Sequence, residues 1–188
     1  MKWIGERISF VDTKQKTTVV IYPHASAWVK AVMGAWVSMW MVIGFTIVWS
    51  FFNLKLTDKE NIILIVFMTF WTYYAVRVTR SFFWLLWGKE LLKLDEVALH
   101  YKRSVRGFGR SIPYYYENIA KLRVDQPEQK SIQAVWEASP WIRGGERLSF
   151  EFRGLPIRFG MKLPEKDAKL LFQFLSRKVD EGIRRSKF

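Results

Sequence analysis

The sequence predicts an α+β membrane protein: a two-helix transmembrane hairpin followed by a small β-barrel capped by a C-terminal amphipathic helix. Three observations carry this prediction. Ala31 to Phe52 contains no charged residue, and a second uncharged run covers Asn61 to Val76. Beyond Gly88 the apolar pattern changes from continuous to alternating, and after Pro164 it changes again to a three-and-four spacing. The boundaries that follow are an N-terminal β-hairpin over 1–27, a transmembrane hairpin over 28–87 with helices near 29–52 and 61–87, and a barrel with its closing helix over 88–188.

The N-terminal segment reads as two short strands, RISFVD and TTVVIYP, separated by the polar turn TKQK and ended by Pro23. Two strands alone are too few to be stable in water, so they are expected to add to a sheet formed later. The first apolar run, at about 1.5 Å per residue, reaches roughly 33 Å and is long enough to cross the hydrocarbon of a bilayer. A cleaved signal peptide is the competing reading. The run starts too late, is too long and ends without a small-residue cleavage pattern. Ala31, Gly34, Ala35 and Ser38 place small residues on one face, suited either to packing within the hairpin or to docking another protein.

The second helix continues through Arg77 and Arg80 to Trp87. Two readings of these arginines stay open. At headgroup depth their aliphatic stems lie in the acyl region and their guanidinium groups meet lipid phosphate, with Phe82, Phe83, Trp84 and Trp87 as the interfacial belt. Deeper, each needs an acidic partner or an inserted polar headgroup. The loop between the helices balances Lys55 and Lys59 with Asp58 and Glu60, whereas cations dominate beyond the second helix. The positive-inside rule then puts both termini and the barrel on the cytoplasmic side of an inner or photosynthetic membrane.

In the last hundred residues, strands are expected at Leu91–Leu94, Val97–Val105, Arg110–Tyr116, Lys121–Val124, Ser131–Ala138, Arg147–Phe152 and Leu155–Phe159, separated by Gly, Pro and Asp turn signals. Pro164, Glu165 and Asp167 open a helix whose Ala168, Leu171, Phe172, Leu175 and Val179 form an apolar stripe. The strand run ELLKLDEVALHYKRSVRGFGRSIPYYYENIAKLRV and the hairpin-plus-helix RLSFEFRGLPIRFGMKLPEKDAKLLFQFLSRKV resemble the bacterial pleckstrin-homology-like domains that follow a transmembrane hairpin. The resemblance covers roughly residues 62–180 and implies a PH-like barrel. The overall layout is also similar to the two-helix photosystem I assembly factors and to photosynthetic-complex assembly proteins of purple bacteria. Those likenesses imply accessory or assembly work on a membrane complex and carry over no individual site residue.

Catalytic signals are sparse. The chain has no cysteine, hence no thiol nucleophile or thiolate metal site, and only two histidines, His24 and His100. RGFGR at 106–110 lies between strands and reads as a hairpin turn rather than a phosphate loop. No enzyme activity and no cofactor are expected, with pigment contact left open. His24 as a haem or chlorophyll ligand is an alternative to its bonding backbone or lipid. The formal charge of +13 makes anionic phospholipids candidate partners, through Arg77, Arg80, Lys102, Arg103, Arg106 and Arg110. A solvated basic face explains the same residues. Nucleic acid is not expected, since no reading motif appears. Aromatic residues point to protein partners. Trp36, Trp40, Gly34, Ser38, Trp84, Trp87, Trp136, Trp141 and Arg143 are the interface candidates, and the loop Glu137 to Glu146 is the segment expected to meet other integral-membrane subunits. The expected function is thus a non-catalytic membrane scaffold, with a lipid-headgroup sensor as the alternative.

Overall fold

A computed structural model of the chain describes residues 1–13, 15–125, 139–142 and 144–185. The strand expected over 131–138, the interface candidates Trp136 and Arg143, and Glu137 and Ala138 at the start of the proposed contact loop lie outside the described residues. The chain divides into two compact units: Met1–His24, Trp87–Ser139 and Arg143–Phe188 in one, Ala25–Leu86 and Pro140–Ile142 in the other.

The first unit is α+β. Six antiparallel strands, β1 (Lys2–Ile4), β2 (Ile8–Asp12), β3 (Thr17–Ile21), β4 (Gly88–Leu94), β5 (Ala98–Val105) and β6 (Ser111–Tyr115), form one sheet in sequence order. The N-terminal strands join it as expected, through β3 against β4, with Ile21 opposite Glu90 and Thr17 opposite Leu94. They belong to the same compact unit as the later strands. β1 had no sequence signal, being three residues long, and β4 starts at Gly88 rather than Leu91 because α2 passes into it without a connecting residue.

A second sheet contains β7 (Ile119–Val124), β8 (Glu146–Phe152) and β9 (Leu155–Met161), and α3 (Glu165–Arg185) follows it. The small capped barrel expected from the sequence is found as two separate sheets that do not close into a barrel. A single 3₁₀ turn at Tyr116–Asn118, with Tyr116 buried, interrupts the chain between β6 and β7. Backbone groups at the end of β9, which a closed barrel would give to another strand, are bonded instead by side chains described below. The core lies between the sheets and α3. Ile8, Val19, Leu92, Leu99, Leu148, Phe150 and Phe159 meet the stripe Ala168, Leu171, Leu175 and Val179, a helix face spaced at three and four as amphipathic packing requires.

The second unit holds α1 (Ala27–Asn53) and α2 (Asp58–Trp87, of which residues to Leu86 belong here). Ser26 caps α1, its Oγ accepting from the Val29 N–H at 3.3 Å. α2 starts three residues before the uncharged run because Thr57 and Glu60 form a capping box: Glu60 Oε2 accepts from the Thr57 N–H at 2.8 Å and Thr57 Oγ1 accepts from the Glu60 N–H at 3.4 Å. Both helices are long and apolar enough to cross a membrane, and only 11% and 6% of their most apolar windows are buried.

Candidate functional site

In the helical unit the tryptophans first hold the hairpin together. Trp36 and Trp40, one turn apart on α1, stack with ring centroids 4.7 Å apart. Trp40 stacks on Trp71 of α2 at 6.4 Å with the rings 4° from parallel. The two indoles also exchange hydrogen bonds with each other's backbone. Trp71 Nε1 donates to the Trp40 carbonyl at 3.1 Å, and Trp40 Nε1 donates to the Trp71 carbonyl at 3.4 Å. An indole N–H in an apolar setting needs an acceptor, and helix carbonyls supply it here. Trp141 meets Trp36 edge-on at 5.4 Å, so the short segment Pro140–Ile142 packs with the helices.

Small residues make this close approach feasible. A Cβ at Gly44 would fall 2.1 Å from Trp71 Cζ2, and one at Gly34 would lie 3.2 Å from Phe82. Ser38 Oγ donates to the Gly34 carbonyl at 2.9 Å within α1. Gly34, Trp36, Trp40 and Trp141 are thus used inside the unit, and Trp84 is 4% exposed. The outward surface is made of other residues, including Phe45, Trp49 and Phe52 on α1 and Ile62, Ile63 and Phe70 on α2. Sequence reasoning named the first set because tryptophan is conspicuous; the orientation of each residue required the helix pairing.

Arg77 and Arg80 are exposed. Arg77 Nη1 donates to the Tyr73 hydroxyl at 2.7 Å, one turn earlier, and its guanidinium lies 5.9 Å from the Tyr73 ring centroid. Among the described residues neither arginine has a carboxylate partner.

The four basic residues of the β5–β6 region separate into two kinds. Arg103 has the β5 parity of Leu99 and Tyr101 but is itself exposed, and its guanidinium is committed to hydrogen bonds at the edge of the core. Its Nε donates to the Tyr101 hydroxyl at 2.6 Å, and its Nη2 donates to Glu146 Oε1 at 2.8 Å and to the Arg158 carbonyl at 3.1 Å. Burial opposes its charge, but Tyr101 and the carboxylates of Glu90 and Glu146 raise its proton affinity above the ordinary arginine value. Lys102, Arg106 and Arg110 gather at the turn. Lys102 Nζ donates to the Gly107 carbonyl at 2.8 Å, and the Arg106 guanidinium sits 4.0 Å from the centroid of the half-exposed Trp87 ring.

Sequence reasoning missed Glu90. It is 1% exposed, and its carboxylate accepts from the Gly160 N–H at 2.8 Å, the Met161 N–H at 3.0 Å and the Tyr101 hydroxyl at 3.0 Å. Burial, reinforced by Glu90, pushes the Tyr101 hydroxyl well up from its ordinary value, so it stays protonated and donates. Arg7 completes the arrangement from the other side, donating to the carbonyls of Tyr22, Met161 and Lys162. Parity was the available signal, since Glu90, Leu92 and Leu94 alternate onto one face. Beginning the strand at Leu91 concealed it.

His24 is exposed, and among the described residues no group of three His, Asp or Glu could hold a metal. A polar cleft of about 350 Å³ lies beside Asp12, Asp95, Lys178 and Arg185; there Lys178 pairs with Asp12 at 3.0 Å and with Glu181 at 3.5 Å. No protein-family model matches the chain, and no curated protein matches it.

Proposed function

We propose that this chain is a non-catalytic integral-membrane scaffold, an accessory or assembly subunit that stabilises a larger membrane complex of photosynthetic or respiratory type. One observation carries the reading: both long helices leave nearly all of their apolar windows uncovered, and apolar surface of that extent is stable only against lipid or another apolar partner. The pairing of β3 with β4 supports placing both ends of the hairpin on one side of the membrane, since strands flanking the helices are joined by backbone hydrogen bonds. The cations after α2 support the cytoplasmic side. On this reading the β unit keeps the PH-like role of a compact membrane-proximal module, with an open two-sheet core in place of a closed barrel.

The helix geometry also favours one of the two depths for the arginines. From Asn61, Arg77 is about 24 Å and Arg80 about 28 Å along the helix, at the far boundary of a hydrocarbon layer roughly 30 Å thick. Headgroup contact by snorkelling follows, with Tyr73 holding Arg77.

Mild-detergent affinity purification of the tagged chain, run on a native gel with mass spectrometry and an absorption spectrum of each band, tests the proposal. Migration with a large complex in fixed stoichiometry is the expected result. Migration alone, or with lipid only, would move the assignment to the lipid-headgroup sensor, the second reading favoured by the exposed cations of the β5–β6 turn.

A further inference from the structure

Building on the scaffold reading, on which it rests, we infer that the β5–β6 turn, residues 106–110, is a protein-docking anchor. Phe108 enters an apolar pocket on another subunit, and carboxylates on the rim of that pocket meet Arg106 and Arg110.

Phe108 is 83% exposed. A single exposed apolar side chain is ordinary surface; what distinguishes this one is its support. Val105 and Phe108 bond to each other in both directions, at 2.9 and 3.0 Å, around Arg106 and Gly107, whose φ values are +51° and +90°. Lys102 Nζ ties the Gly107 carbonyl at 2.8 Å. Gly109 packs so tightly that a Cβ there would lie 2.0 Å from the Arg103 carbonyl oxygen. The ring therefore projects from a fixed backbone, and an anchor fixed in advance has little freedom left to lose on docking. A pocket of definite shape exploits that preset geometry, whereas a fluid bilayer gains nothing from it. The occupant it favours is a protein.

Charge states the chemistry of the rim. From Val97 to Tyr116 there is no acidic residue, while Lys102, Arg103, Arg106 and Arg110 are all cations. The charge of Arg103 is met by Glu146 at 2.8 Å. Among the described residues, Lys102, Arg106 and Arg110 have no carboxylate partner. The Arg106 guanidinium lies 4.0 Å from the centroid of the Trp87 ring, which belongs to the same unit and is itself 38% exposed. Exposed aromatic rings beside arginine are the composition of an interface hot spot. Unpaired cations around an apolar anchor complement a carboxylate-rimmed pocket and reject a basic one.

Photocrosslinking in native membranes tests the inference. The photoreactive residue p-benzoylphenylalanine replaces Phe108 in the full tagged chain or, as a control, the exposed Leu155 of the β8–β9 turn, and crosslinked peptides are sequenced after irradiation. The expected result is a protein adduct at 108 several-fold above that at 155. It maps to one segment in which apolar residues are flanked by Asp or Glu, and its yield falls several-fold with Arg110→Glu and at high salt. Arg110 is exposed, so the variant keeps its fold, which circular dichroism of the purified chain checks. An adduct with lipid only, a yield at 108 no higher than at 155, a segment without carboxylates, or indifference to Arg110→Glu overturns the inference. A native gel of the same membranes separates the two levels. A chain that runs with a large complex yet gives no protein adduct at 108 removes only the anchor, whereas a chain that runs alone removes the scaffold reading as well.

Discussion

Glu90 on β4 accepts a hydrogen bond from the backbone N–H of Gly160 on β9 at 2.8 Å, seventy residues away in sequence. With its second oxygen on the Met161 N–H, this one carboxylate does what a paired strand would otherwise do for the end of β9. Glu90→Gln keeps the shape but turns an NH₂ group toward groups that are themselves donors. A buried donor left unpaired costs about 1–3 kcal/mol. The expected outcome is a loss of that size in detergent-solubilised unfolding followed by circular dichroism, with Glu90→Leu at least as damaging because all three donors lose their acceptor.

Gly44→Ala puts a methyl group where Trp71 Cζ2 already lies, at 2.1 Å. The helices must separate or Trp71 must rotate, and either breaks its stack on Trp40. Overpacking of this kind costs about 1–3 kcal/mol. Near-ultraviolet circular dichroism of the indoles should weaken with Gly44→Ala and hardly change with Val42→Ala, which alters an outward residue of the same helix.

Gly107 and Gly109 both have positive φ but differ in surroundings. A Cβ at Gly107 meets open space, so Gly107→Ala carries only the backbone cost, about 1–2 kcal/mol. Gly109→Ala adds collision with the Arg103 carbonyl. A lower thermal midpoint for Gly109→Ala than for Gly107→Ala is expected, and equal midpoints would count against the turn geometry.

Asp95 gives the unit an acid limb. Burial opposes its ionisation, but the N–H groups of Ala98 and Val97, with His100 and Lys93, hold its carboxyl below the usual range. A depressed folded value means that the stabilisation is complete above the unfolded value of about 3.9 and is lost as the pH falls through the folded one. Asp95→Asn keeps an acceptor for the two N–H groups but has no such titration. As the pH falls below about 4 its midpoint should therefore fall less steeply than that of the unmodified chain.

Much of the layout is legible in the residues. The two apolar helices, the alternation after Gly88 and the stripe of α3 are local patterns, and local patterns reflect local periodicity. The N-terminal strands were expected to seek a later sheet because two strands cannot stand alone, and β3 found β4. The candidate site was less legible. Lys102 and Arg103 are neighbours in sequence but face opposite sides of β5, so one braces the turn and the other, though exposed, bonds Tyr101, Glu146 and the Arg158 carbonyl. Trp36 and Trp40 looked like docking residues and are engaged in the hairpin, while Phe108, lacking charge or motif, drew no notice and is among the most exposed apolar residues.

By itself the sequence determined the two long helices, the C-terminal helix, most of the described strands and where the charge lies, because hydropathy runs and turn residues act over a few positions. Tertiary structure alone decided that the sheets stay open, that Glu90 and Arg7 bond the end of β9 while Arg103 bonds its middle, and which tryptophans remain outward. Each of those depends on register between strands or helices tens of residues apart, where a shift of one residue moves a side chain to the opposite face.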